Sequence, residues 1–124
     1  MRILAIDDEK NFLAAIARAL GAAGHDVTCV ADAKSGLDRL AVGRYDLLIS
    51  DVLMPEMDGL ALIKIVRQRH PDLRIIAMSG GGGGIPASVC LKGSEAFGAD
   101  RILFKPFRMA ELLAAVTETG ERAA

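Results

Sequence analysis

Five side chains in this sequence could do chemistry together. Asp7 and Asp8 follow the apolar run Ile3–Ile6, and Asp51 closes the stretch Leu47-Leu48-Ile49-Ser50. Ser79 follows Ile75–Met78, and Lys105 follows Ile102–Phe104. A carboxylate at the edge of an apolar interior loses hydration and persists only if something pairs with it. Three carboxylates brought together repel one another and call for a cation. All-oxygen ligands with retained waters suit Mg²⁺, with Mn²⁺ as an alternative hard cation. The Lys105 ammonium would neutralise part of the same cluster. A metal and an ammonium around one carboxylate make a receptor for a phosphoryl group, whose oxygens they neutralise during transfer. The Ser79 hydroxyl could donate to a further oxygen. The chemistry this implies is attack by the Asp51 carboxylate on an incoming phosphoryl group, giving an acyl phosphate.

The elements that must position these groups are legible from two alternating periods. Short apolar runs stand at Ile3–Ile6, Val27–Val30, Leu47–Ile49, Ile75–Met78 and Ile102–Phe104. They are mostly continuous rather than alternating, as expected of strands buried on both faces. Between them lie helical stripes: Phe12, Leu13, Ile16, Ala17 and Leu20; Leu37, Leu40 and Ala41; Leu62, Ile63 and Val66; a weaker one at Ala87, Cys90, Leu91 and Ser94; and Met109, Leu112, Leu113 and Val116. Gly24, Gly43 and Gly98 stand where helices should end, His70-Pro71 stops the third helix, and Asp32 and Asp58 stand at N-cap positions. Strands alternating with helices predict an α/β domain with a parallel sheet and right-handed crossovers. In such a sheet functional groups gather beyond the carboxyl ends of the strands, where all five side chains fall.

Each residue also has an ordinary structural reading. Asp7-Asp8 could cap the first helix, Ser79 could be a plain strand-end serine, and Lys105 a solvated lysine. Asp58, in Met57-Asp58-Gly59, opens a helix and is assigned the capping role. His25 and His70 sit at turns without a partner acid and read as surface residues. It is their joint occurrence at successive strand ends that favours a site. The loop Ser79 to Pro86 carries five consecutive glycines but no following Lys-Ser or Lys-Thr, so it is not read as a nucleotide cradle.

The bulk composition agrees with one domain over residues 1–124. A formal net charge of −1 argues against a general nucleic-acid or anionic-membrane binder. The N-terminal apolar run is too short for a signal peptide or a membrane span. Cys29 and Cys90 lie far apart among apolar neighbours and read as buried, reduced hydrophobes. The expected compartment is the cytoplasm.

Four motifs together resemble the receiver domain of two-component response regulators: Ile6-Asp7-Asp8-Glu9, the stretch from Asp51 through Pro55 to Gly59, Met78-Ser79-Gly80, and Lys105-Pro106-Phe107. The resemblance covers essentially the whole chain and implies a flavodoxin-like (βα)5 doubly wound sheet of order 2-1-3-4-5. It implies that Asp51 is the phosphoacceptor. Mg²⁺ would be held by Asp7, Asp8, Asp51 and the backbone carbonyl of Leu53, with Asp8 the direct ligand and Asp7 acting through water. Ser79 would be the switch hydroxyl, Lys105 the partner of the acyl phosphate, and the Lys105–Pro106 peptide cis. The donor would be a sensor histidine kinase or a histidine phosphotransfer protein. Output would pass by docking on another protein or by phosphorelay, with no attached output domain and no direct contact with nucleic acid or membrane. The exposed surface of the fourth helix, fifth strand and fifth helix would be the docking face.

The sequence departs from the family pattern at four places. Ile102 stands where an aromatic residue usually relays the signal. Ser79 stands where threonine is common, and it keeps the hydroxyl without the methyl. The glycine run makes the connection to the fourth helix unusually free. The last helix opens Pro106-Phe107-Arg108-Met109 without a capping residue. Leu53 and Gly81 flank the site and cannot activate a water, which predicts slow self-dephosphorylation.

Three other functions fit the sequence less well. An aspartate-based phosphohydrolase needs a second acid two residues after Asp51, where Leu53 stands. An FMN binder on the same fold would meet an acidic loop after the first strand, and the chain has no tryptophan and one tyrosine, Tyr45. A constitutive binding module keeps the fold and drops the phosphorylation, and only Ile102 favours it. The expected role is therefore a phosphorylation-controlled switch, not an enzyme beyond its own phosphotransfer and dephosphorylation.

Overall fold

The computed structural model describes residues 1–51, 59–79 and 99–123, with residues 59, 60, 79 and 121–123 described in their backbone alone. Leu53 and Asp58, the glycine run, Gly81, Cys90, Gly98 and the stripe from Ala87 to Ser94 lie outside the described residues. The elements run β1 (Arg2–Ile6), α1 (Lys10–Ala22), β2 (Asp26–Val30), α2 (Ala33–Val42), β3 (Leu47–Asp51), α3 (Gly59–Arg69), β4 (Arg74–Ser79), β5 (Arg101–Phe104) and α4 (Met109–Ala123). All strand pairs are parallel and the sheet order is β2-β1-β3-β4-β5. The flavodoxin-like doubly wound order is therefore the one the chain adopts.

Side chains alternate across each strand and feed two cores. Ile3, Ala5, Leu47, Ile49, Ile76, Met78 and Leu103 pack with α1 and α4 through Leu13, Ile16, Leu20, Leu112 and Val116. Leu4, Ile6, Leu48, Ile75 and Ala77 pack on the other face with α2 and α3 through Leu40, Leu62, Ile63 and Val66. Burying such a side chain contributes roughly 1.5–3 kcal/mol each, and helices on both faces explain the unbroken apolar runs of β1 and β3. The edge strands depart from that expectation. β2 is half-buried to exposed along its length, because no further strand covers its outer edge.

Cys29 shows the consequence. It is exposed rather than buried, since it lies on this edge strand. Its Sγ donates to the Leu13 carbonyl at 3.7 Å, and partial desolvation there raises the thiol above its ordinary pKa. In α2 the buried positions are Ala33, Gly36 and Leu40, and Ala41 faces solvent. Gly36 is a close-approach residue. A Cβ there would lie 2.3 Å from Ile6 Cδ1, so the absence of a side chain lets α2 settle on the end of β1.

The helix ends follow local chemistry. Asp32 caps α2 by accepting from the Ser35 N–H at 2.7 Å and the Ser35 hydroxyl at 3.0 Å. Gly24 takes φ +94° just after α1, a region that favours glycine. His25 is half-buried, with its Nδ1 3.1 Å from the Met1 ammonium. Burial, then that positive charge, holds its pKa below the ordinary value.

At the amino end of the sheet an ion cluster fixes the register. The Asp100 carboxylate accepts from the Ile75 N–H at 2.8 Å and from Arg67 Nη2 at 3.1 Å, with Arg74 Nη1 at 3.7 Å. Arg67 also donates to the carbonyls of Pro71 and Leu73, each at 2.8 Å. The end of α3, the start of β4 and the start of β5 are thereby tied to one carboxylate. Among the described residues no helix is long and apolar enough to cross a membrane.

Candidate functional site

Strand register brings the chemistry together. Ile6 pairs with Ser50, so the next step along β1 sets Asp7 beside Asp51. Ser79, the last residue of β4, pairs with Phe104, so Lys105 emerges one step beyond β5 at the same end of the sheet. Carboxylate oxygens of Asp7, Asp8 and Asp51 all lie within 4.8 Å of one another. Asp7 and Asp51 are buried, at 0% and 6% exposure, whereas Asp8 is exposed. The sheet thus carries two of its acids into the apolar interior and leaves the third at the rim.

Lys105 bridges the two buried acids. Its Nζ lies 2.6 Å from Asp7 Oδ2 and 3.5 Å from Asp51 Oδ2. Burial pushes the ammonium pKa down. The hydrogen bond to Asp7 and the charges of Asp51 and Asp7 more than offset this, so the net direction is up. Asp7 also serves the fold, because its Oδ1 accepts from the Glu9 N–H at 2.9 Å at the start of α1. Asp7 does not cap α1, whose N-cap Glu9 makes no side-chain cap bond; one Asp7 oxygen holds the turn that leads into the helix and the other faces the lysine.

Among the described residues three carboxylates stand against one ammonium here. Hard oxygen donors at this spacing fit a small divalent cation, and the exposed Asp8 offers an open approach. The donor chemistry suits Mg²⁺ or Mn²⁺ better than Zn²⁺, since none of the three donors is a nitrogen or sulfur.

Two features escaped the sequence reading. Lys105 Nζ sits 4.4 Å from the centre of the Phe12 ring, and Phe12 meets Phe107 edge to face at 5.7 Å and 70°. Phe12 was legible only as a member of the apolar stripe of α1. Phe104, at the end of β5, is 40% exposed. The Lys105–Pro106 peptide is cis. Ile102 is half-buried and packs with Ala99 against the core shared with α2 and α3.

Comparison with known proteins places this geometry in context. Residues 3–117 match the family model of the response regulator receiver domain. The response regulator MprA of Mycobacterium avium (strain 104) is 37% identical over 114 residues, spanning 92% of this chain and 48% of that protein. The DNA-binding transcriptional regulator NtrC of Azospirillum brasilense is 39% identical over 114 residues, 92% of this chain and 23% of its own length. The chain thus spans about half or less of the length of these relatives. Among solved structures, the receiver domain of the Francisella response regulator 1452 superposes with a TM-score of 0.87 at 28% identity, covering 99% of this chain and 98% of that one. The chemotaxis response regulator CheY4 of Vibrio cholerae gives 0.85 at 28% identity, covering 95% and 97%. With its strand order, its acidic cluster and these similarities, the chain belongs to the response regulator receiver domain family.

Proposed function

We propose that Asp51 accepts a phosphoryl group from a phosphohistidine on a sensor histidine kinase or a histidine phosphotransfer protein. The observation that carries this reading is the Lys105 ammonium bridging Asp7 and Asp51, with the Asp8 carboxylate at the rim of the same cluster. An Asp51 carboxylate oxygen forms the new P–O bond as the P–N bond to the donor imidazole breaks, and the imidazole nitrogen keeps the electron pair. A divalent cation held by Asp7, Asp8, Asp51 and the Leu53 carbonyl would, when bound, offset the charge on the phosphoryl oxygens. Lys105 follows the charge from the carboxylate to a phosphoryl oxygen, and the Ser79 hydroxyl donates to another. Low exposure of Asp51 limits the access of water to the acyl phosphate.

Phosphorylation adds between one and two negative charges at this end of the sheet. Converting a mostly-off population to a mostly-on one needs roughly 5.5 kcal/mol of differential stabilisation, which contacts from Lys105 and Ser79 would supply in part. The result is a signalling module that passes information by protein docking or onward phosphotransfer rather than by turnover of a small substrate. It would act in the cytoplasm, a setting that suits the unpaired thiol of Cys29.

The test is direct. Incubation with Mg²⁺ and acetyl phosphate should add one phosphoryl mass to the intact protein, and Asp51→Asn should abolish the adduct completely. Absence of any adduct in a protein that binds Mg²⁺ would replace this reading with the constitutive binding module. The aliphatic Ile102, which lacks a relay hydroxyl, is the one observation that favours that alternative.

A further inference from the structure

We infer that Phe12 is a positioning residue for Lys105, and that the aromatic pair Phe12–Phe107 sets where the ammonium stands before a phosphoryl group arrives. The inference rests on the proposed role of Asp51 and deepens it. Lysine is a poor candidate for a preorganised catalytic cation. Its four-carbon stem is flexible, and ordering it costs up to about 2 kcal/mol of side-chain entropy. Something must hold the head group, and two carboxylates alone do so ambiguously. Nζ is close to Asp7 at 2.6 Å but more distant from Asp51, the intended nucleophile, at 3.5 Å.

The Phe12 ring supplies a third constraint. Nζ lies 4.4 Å from the ring centre, well inside the range over which the negative face of an aromatic ring attracts a cation. The ring is itself held. Phe12 stands on α1, only a few residues beyond Asp7 and Asp8, and is half-buried against the core of that face. Phe107 meets it edge to face at 5.7 Å from the segment just after Lys105-Pro106. One aromatic contact therefore closes a loop of supports: α1 carries Phe12, Phe12 faces Lys105, and Phe107, from Lys105's own segment, braces the ring. An apolar ring also shields the ammonium from water, which strengthens its interaction with the acids. Leucine at position 12 would fill much of the volume and provide none of the ring's charge distribution. The effect to be tested is thus separable from packing.

The contact Phe12 makes with the acid cluster's partner is its ring over Lys105, and its effect passes through that residue. When acetyl phosphate reacts, the P–O bond to acetate breaks as the bond to Asp51 forms, and acetate leaves as a carboxylate without net proton uptake. A Lys105 ammonium already placed by the ring avoids a search at that moment.

The test compares Phe12→Leu, Phe12→Met and Phe12→Tyr with the unaltered chain in two measurements. The first is the NMR shift of the Lys105 Cε protons, assigned through Lys105→Arg, in metal-free unphosphorylated protein. The second is the initial rate of the phosphoryl adduct with Mg²⁺ and acetyl phosphate. The ring should move the Cε resonance upfield in the unaltered chain and in Phe12→Tyr, and the shift should vanish in Phe12→Leu. Adduct formation should slow roughly three- to tenfold in Phe12→Leu and recover in Phe12→Tyr, the range expected for losing one partly desolvated cation–ring contact. Phe12→Met replaces Phe12→Leu if the latter does not fold. Equal rates in the ringless variants and the unaltered chain would overturn the inference, whether or not the shift is lost. Rates that stay low in Phe12→Tyr would also overturn it, by showing packing as the cause. If the unaltered chain forms no adduct, the phosphoacceptor reading falls by itself. The absence of an upfield Lys105 shift would then separately refute the positioning contact.

Discussion

The two ends of the sheet treat their acids in opposite ways. At the amino end, one carboxylate, Asp100, meets two guanidinium groups and a backbone N–H. At the carboxyl end, three carboxylates share one ammonium. The first arrangement is saturated with positive partners and has no electrostatic need for a ligand. Among the described residues, the second gathers more negative than positive groups in partly buried surroundings, an arrangement that a bound cation would relieve. The contrast separates an acid held by fold contacts from the acids of the candidate site without reference to position in the chain. Burial alone does not distinguish Asp51, since the Asp100 side chain is also largely covered; the described charges around each acid do.

That contrast can be broken or sharpened by substitution. Asp100→Ala removes a partner from Arg67, Arg74 and the Ile75 N–H at once. It should cost about 2 kcal/mol of unfolding free energy, the scale of lost hydrogen bonds to charged groups. Urea denaturation would read this, and an effect below about 0.5 kcal/mol would mean the cluster is as weak as an ordinary exposed ion pair. The Asp7–Asp51 end should respond less, because each acid removed also removes repulsion.

A smaller effect belongs to Asp32, an acid satisfied locally by Ser35. Backbone and then side-chain hydrogen bonds from Ser35 hold its pKa below the ordinary aspartate value of 3.8. A group with a depressed folded pKa contributes stability that is present above its unfolded pKa and lost as pH falls through the folded one. Asp32→Ala should therefore lower the urea midpoint near neutral pH, and the difference from the unaltered chain should shrink as the pH falls below 3.8. A difference that persists undiminished at the lowest accessible pH would assign the loss to helix propensity instead.

The smallest expected change has the opposite sign. Asp8→Asn relieves repulsion in the cluster and should stabilise the metal-free protein by about 0.5 kcal/mol, the scale of exposed charge interactions. The same change should remove most of the stabilisation that added Mg²⁺ gives the unaltered chain, measured as the shift in melting temperature with metal concentration. If Asp8→Asn destabilises the metal-free protein, the cluster is already neutralised and the comparison between the two ends fails.

How much of this was legible beforehand follows from the physics of each signal. The five strands announced themselves because two-sided burial demands continuous apolar runs. Their ends extended further than those runs, to Arg2, Asp26, Asp51, Arg74, Ser79 and Arg101, since backbone pairing does not require an apolar side chain. Asp7, Asp51 and Lys105 could be grouped because each ends an apolar run. Asp100 could not, because an isolated acid before a short strand has no period, and its partner Arg67 lies 33 residues away. Cys29 misled because its apolar neighbours belong to an edge strand, where one side stays open. Phe12 and Gly36 were visible as residues but not in role. Ring contact and close helix approach depend on distances that spacing in the chain does not encode.

The wide sequence separation of the site has a further consequence, for quality control during synthesis. Lys105 is 98 residues from Asp7 and 54 from Asp51, so its ammonium joins them only when β5 has paired with β4. A nascent chain that has emerged as far as β4 already holds Asp7, Asp8 and Asp51 without that counter-charge. Their mutual repulsion then lacks the lysine's contribution until the last strand is in place. On the proposed role of Asp51, competence to receive a phosphoryl group would report complete folding, since an unfinished or clipped chain would carry the nucleophile without its lysine.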